Sequence, residues 1–162
     1  MLNLFRLDEI LKNALAEDIG NGDITTMSTV GAERMTQGRF IAKEEGVICG
    51  IPVLKRVFEI LDPAVIIEIL VEEGALLQKG ELIAKISGPA RSILTGERVS
   101  LNLLQRMSGI ATRTHEAVIQ IAGTKASIAD TRKRRQAFAC WRNTRSASAA
   151  ARTIAIIWPM ES

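Results

Sequence analysis

An apolar stripe at helical spacing runs through the middle of this chain. Ser100, Leu103, Leu104, Met107, Ile110, Ala111, Thr114, Ala117, Val118 and Ile121 share one face of a helix that opens near Arg98 and is closed by Gly123. A helix apolar along one side has to be covered, so the surrounding segments are expected to supply a packed layer. The upstream sequence reads that way. Leu7, Ile10, Leu11, Ala14 and Leu15 form a shorter amphipathic helix ended by Gly20. Ile24 to Thr26 follow a turn as β-branched residues, and Phe40 and Ala42 alternate with Arg39 and Lys43 in a strand over 37–43. A short buried strand at 46–50 precedes a helix that Pro52 opens at its first position and Asp62-Pro63 ends.

Residues 65–72 and 81–87 are β-branched runs, expected as antiparallel neighbours, joined by a connection that Gly74 and Gly80 punctuate. A short extended piece after Gly88-Pro89 leads to the long helix. Beyond it, residues 126–130 read as a short buried strand whose end delivers Asp130-Thr131-Arg132-Lys133. A helix followed by such a strand is the opening step of a repeated α/β barrel.

The chain changes character after Lys133. All 12 glycines lie at or before Gly123, and both tryptophans lie at or beyond Trp141. Of the 21 basic and 18 acidic residues, five and one fall in 134–162, so residues 1–133 carry a net charge of −1. The overall charge of +3 belongs to the tail and is no argument for nucleic-acid binding. At 162 residues there is room for one domain, or a small domain and a piece of another. Cys49 and Cys140 have no metal-type spacing, which indicates two free thiols in a reducing compartment. No apolar run suits a signal peptide or a membrane span, so a cytoplasmic location is expected.

Three basic residues are the candidates for binding: Arg98 at the start of the long helix, and Arg132 and Lys133 just past a strand end, where barrel folds collect their binding groups. Arg presents a planar fork to carboxylate or phosphate and Lys a point charge, a combination suited to a small polyanion. A cation at a helix N-terminus opposes the macrodipole, so helix stability does not account for Arg98. Solvated surface charge is the plainer explanation of all three from spacing alone. His115 lacks companions at ligand spacing and takes no role, and a turn-rich connection accounts for Asp18 and Asp23 without a metal. No catalytic residue and no metal ligand is assigned. Residues 71–86 also resemble half of a biotinyl or lipoyl carrier, but Lys79 sits in a connecting loop and not at a hairpin tip.

Three segments in order, Glu17-Asp18-Ile19-Gly20-Asn21-Gly22-Asp23-Ile24-Thr25-Thr26, the run from Gly96-Glu97-Arg98 to Gly109-Ile110-Ala111-Thr112, and Asp130-Thr131-Arg132-Lys133, resemble the nicotinate-nucleotide pyrophosphorylase (quinolinate phosphoribosyltransferase) family. The resemblance spans residues 5–133. It implies an α+β N-terminal domain with a mostly antiparallel sheet at 1–100, the first helix and strand of an incomplete α/β barrel at 101–133, and a homodimer. It implies a pentosyltransferase that joins quinolinate to phosphoribosyl pyrophosphate with Mg²⁺, giving nicotinate mononucleotide, pyrophosphate and carbon dioxide in NAD synthesis. By motif position Arg132 and Lys133 would bind quinolinate carboxylates and Arg98 would reach the neighbouring subunit's site. A molybdate-transport relative of the same fold, and a non-catalytic dimerisation or carrier module, are the competing readings.

After Lys133 the family pattern continues Thr-Thr-Pro-Gly-Leu-Arg, whereas this chain has Arg134-Arg135-Gln136-Ala137-Phe138-Ala139. Back-translation with synonymous codons, shifted so that the last base of the Lys133 codon opens the next triplet, recovers Thr-Thr-Pro-Gly-Leu-Arg-Val-Leu. Residues 149–155 likewise yield Gly-Gly-Gly-Ala-Asn-His-Arg. Residues 134–162 are therefore expected to be an out-of-frame tail. The chain would then be an inactive fragment lacking the family's Mg²⁺ ligands.

Overall fold

The computed structural model describes residues 4–20, 24–129 and 154–157. Its frame is a four-stranded sheet in the order β3-β5-β1-β6, with β1 at Met35–Ala42, β3 at Ile66–Ile69, β5 at Leu82–Pro89 and β6 at Ile154–Ile157. Every described pairing is antiparallel, including the expected neighbours β3 and β5, where Glu68 lies opposite Lys85. Along β1 burial alternates: Gly38, Phe40 and Ala42 are buried, and Arg39 between the first two faces outward. Two short strands, β2 at Gly46–Val47 and β4 at Leu76–Leu77, pair beside this sheet.

Helices cover the inner face. Phe40, Ile83 and Ile86 from the sheet meet Leu54 and Phe58 of α3 (Ile51–Leu61) and Ile93 and Leu104 of α4 (Ala90–Ile121). A second cluster joins Leu11, Ala14 and Leu15 of α1 (Leu4–Ile19) to Val53 and Val57 of α3 and Val99 of α4. The fold is thus the expected mixed α/β arrangement with an antiparallel sheet, and α1 ends at Gly20, whose φ of +53° suits glycine.

Four local expectations change. The long helix starts at Ala90, in place of the extended piece expected before Gly96. Its buried face there runs Ala90, Ile93, Gly96, Val99 and Ser100, and the small Ala90 and Gly96 hide the first turns of the stripe from a hydrophobicity reading. The β-branched run after residue 23 forms a short helix, α2 (Ile24–Thr29). The helix α3 begins at Ile51, so Pro52 is its second residue. The strand expected at 126–130 does not form over 126–129, where all four residues are exposed and no neighbouring strand among the described residues offers hydrogen bonds; Asp130 lies outside the described residues.

Candidate functional site

The helix α4 carries the second of the three motifs, and the structure gives most of that motif a packing role. Gly96 sits against α3 so closely that a Cβ would lie 2.6 Å from Phe58 Cε1. Ser100 is fully buried and its hydroxyl donates to the Glu97 carbonyl at 2.9 Å. One turn apart, Ser108 and Thr112 serve the chain around β2. The Cys49 N–H donates to Ser108 Oγ at 3.0 Å and the Val47 N–H to Thr112 Oγ1 at 2.9 Å. These hydroxyls satisfy backbone donors that lack a strand partner on that side. The Gln105 amide donates to the Ile154 carbonyl of β6 at 2.6 Å.

Arg98 stands apart from this packing. It is the ninth residue of α4, beyond the first turn over which the macrodipole acts, so the argument that placed it against the dipole at a helix start does not hold. Its side chain is 75% exposed, and Nη1 lies 3.5 Å from Asp18 Oδ1 at the end of α1. Beside it, Glu97 is half-buried and burial raises its carboxyl above the ordinary range. Arg132 and Lys133 lie outside the described residues, so the structure places one of the three predicted binding residues.

Two features escaped the sequence reading. The Glu73 carboxylate accepts the Gly50 and Ile51 N–H groups at 2.7 and 2.9 Å, capping α3 from a loop 22 positions downstream of Ile51. No local pattern announces a cap supplied from that distance. The second is Asp18, whose signal was an acid in the last turn of a helix, where the exposed carbonyls disfavour it. An open apolar groove of ≈ 590 Å³ runs past Cys49, Met107, Ile110 and His115. Burial, and then neighbouring Glu73, hold the Cys49 thiol above its ordinary value, so it is a poor nucleophile. Among the described residues no three His, Cys, Asp or Glu converge. Among them no helix is long and apolar enough to cross a membrane.

A layered α/β domain whose long helix projects an exposed arginine places the chain in a definite class. Residues 23–108 match the family model for the quinolinate phosphoribosyl transferase N-terminal domain, and the chain belongs to that family. It is 43% identical over 132 residues to a probable carboxylating nicotinate-nucleotide pyrophosphorylase of Bacillus subtilis, spanning 82% of this chain and 45% of that one. A chloroplastic enzyme of the same name from Arabidopsis thaliana is 40% identical over 130 residues, 80% of this chain and 37% of that one. Among solved structures, NadC from Streptococcus pyogenes superposes with a TM-score of 0.79 at 35% identity, covering 93% of this chain and 52% of that one. The chain therefore spans 45% and 37% of the lengths of these two curated relatives, less than half of each.

Proposed function

We propose that this chain is the N-terminal part of a phosphoribosyltransferase acting on quinolinate and phosphoribosyl pyrophosphate, with Arg98, Arg132 and Lys133 as its anion-binding residues. The observation that carries the reading is the exposed Arg98 guanidinium beside Gly96, Val99 and Ser100, which are buried in packing, within the segment that matches the family model. Clustered cations offset the charge of a dianionic ring and hold it in one orientation for reaction at the sugar carbon. Mg²⁺ and a second copy of the chain, in a homodimer to which Arg98 contributes across the interface, complete the reading. The location that fits is the cytoplasm. Residues 1–100 are the N-terminal domain and 101–133 the start of the barrel.

Residues 134–162 are read as an out-of-frame tail, supported by the family pattern that a one-base shift recovers after Lys133. The strand β6 is compatible with that origin, because an apolar β-branched run such as Ile154-Ala155-Ile156-Ile157 pairs with an open sheet edge whatever encoded it. The polypeptide of residues 1–162 alone is expected to have negligible turnover. Two measurements test the proposal. The nucleotide sequence around the Lys133 codon shows the shifted frame, or overturns it by encoding no barrel downstream in any frame. Quinolinate titration of the purified chain should protect Arg98, Arg132 and Lys133 from guanidine- and amine-directed reagents. Ligand-independent dimers with no quinolinate affinity would instead favour a non-catalytic dimerisation module. The carrier alternative has less support, since Lys79 lies between β4 and β5, which are not paired with each other.

A further inference from the structure

We propose that Asp18 is a positioning residue for Arg98, fixing the orientation in which its guanidinium meets an anionic ligand. The inference rests on the reading of Arg98 as a carboxylate-binding residue and adds the group that aims it. Asp18 occupies the last turn of α1, where the terminal carbonyls disfavour an anion and which holds no basic residue to compensate. Its side chain is only 20% exposed, so the charge calls for a counter-ion close by, and Arg98 Nη1 at 3.5 Å is the one the structure provides among the described residues. Neither residue is explained by its own helix. Each is explained by the other, which joins two segments far apart in sequence, Glu17-Asp18-Ile19-Gly20 and Gly96-Glu97-Arg98.

The geometry suits aiming more than stabilisation. A pair with one N–O contact and an arginine mostly in solvent contributes about 0–1 kcal/mol to folding. Arg, however, has five N–H donors, and the contact engages Nη1 alone. The Nε and Nη2 edge of the fork has no partner among the described residues and is available to a bidentate carboxylate. A long side chain already tethered on one edge loses less rotamer freedom when a ligand takes the other.

The test uses the full chain with ¹⁵N-labelled arginine, in wild type, Asp18→Asn, Asp18→Glu and Arg98→Lys. Relaxation of the Arg98 Nε–Hε group should show order in wild type, a drop into the flexible range below about 0.6 in Asp18→Asn, and recovery in Asp18→Glu, with far-UV circular dichroism unchanged. Quinolinate affinity should fall about fivefold in Asp18→Asn, recover in Asp18→Glu, and fall further in Arg98→Lys. Equal Arg98 order in wild type and Asp18→Asn would overturn the proposal. So would a loosened Arg98 that binds quinolinate as tightly as before. If wild type binds no quinolinate, the carboxylate-site reading fails, and with it the purpose assigned to the pair, while the relaxation data show separately whether Asp18 orders Arg98.

Discussion

Gly96 shows how a single missing methyl group lets two helices meet. The Cβ of an alanine would fall 2.6 Å from Phe58 Cε1 and 3.1 Å from Leu61 Cδ2, and Phe58 is itself almost completely buried and cannot move aside freely. Gly96→Ala gains helix propensity but overpacks the α3–α4 contact, and the overpacking dominates. A net loss of about 1–3 kcal/mol is expected in urea denaturation. Its neighbour Glu97 makes a prediction of the opposite sign. Burial raises its carboxyl above the ordinary value, so the unfolded chain releases the proton first and stability falls as pH rises from that value through the raised folded one. Glu97→Gln carries no charge to bury. It should match wild type near pH 4 and exceed it at pH 7, by less than about 1 kcal/mol because the side chain is only partly buried. A difference that does not change between those pH values would show that burial of the charge is not the cause.

Among the elements, α3 depends on a residue outside itself. Its first N–H groups lack partners within the helix, its own N-cap Gly50 supplies no side chain, and the Glu73 carboxylate takes both the Gly50 and Ile51 donors. Glu73→Ala should cost about 1–2 kcal/mol, and Glu73→Gln less, since the amide keeps one acceptor oxygen. The same carboxylate contributes to the raised Cys49 thiol, so either variant should also speed alkylation of Cys49 at pH 8, which a loss of helix capping alone would not require. Elements with a clean period were legible in the sequence: α1, β1, the β3–β5 pair and the latter half of α4. The start of α4 was not, because Ala90 and Gly96 fill buried positions with side chains too small to register in a hydrophobicity pattern. At the candidate site, Arg98 was legible as an unexplained cation. Its pairing with Asp18 was not, since it depends on how α1 lies against α4, which no local pattern encodes.

For the whole molecule, α4 divides into two environments. Up to Gly109 its apolar face is shared between the sheet cluster and the α1 cluster, whereas Ile110 and Val118 are 59% and 48% exposed and border the groove beside Cys49 and Met107, and Ile119 is 60% exposed. The stripe that indicated a covered helix is therefore covered over only its first half by the described residues. Contiguous apolar surface of this kind drives association in water. The purified chain of residues 1–162 is expected to self-associate increasingly with concentration in light scattering coupled to size exclusion. Ile110→Glu combined with Val118→Lys should suppress that association. Because both side chains are already largely in solvent, the double variant should unfold within about 0.5 kcal/mol of wild type. A wild-type chain that stays monodisperse as concentration rises would overturn the prediction, and a double variant that associates just as strongly would locate the adhesive surface elsewhere, with the exposed Ile66 of edge strand β3 and Leu70 just past its end as the next site to charge.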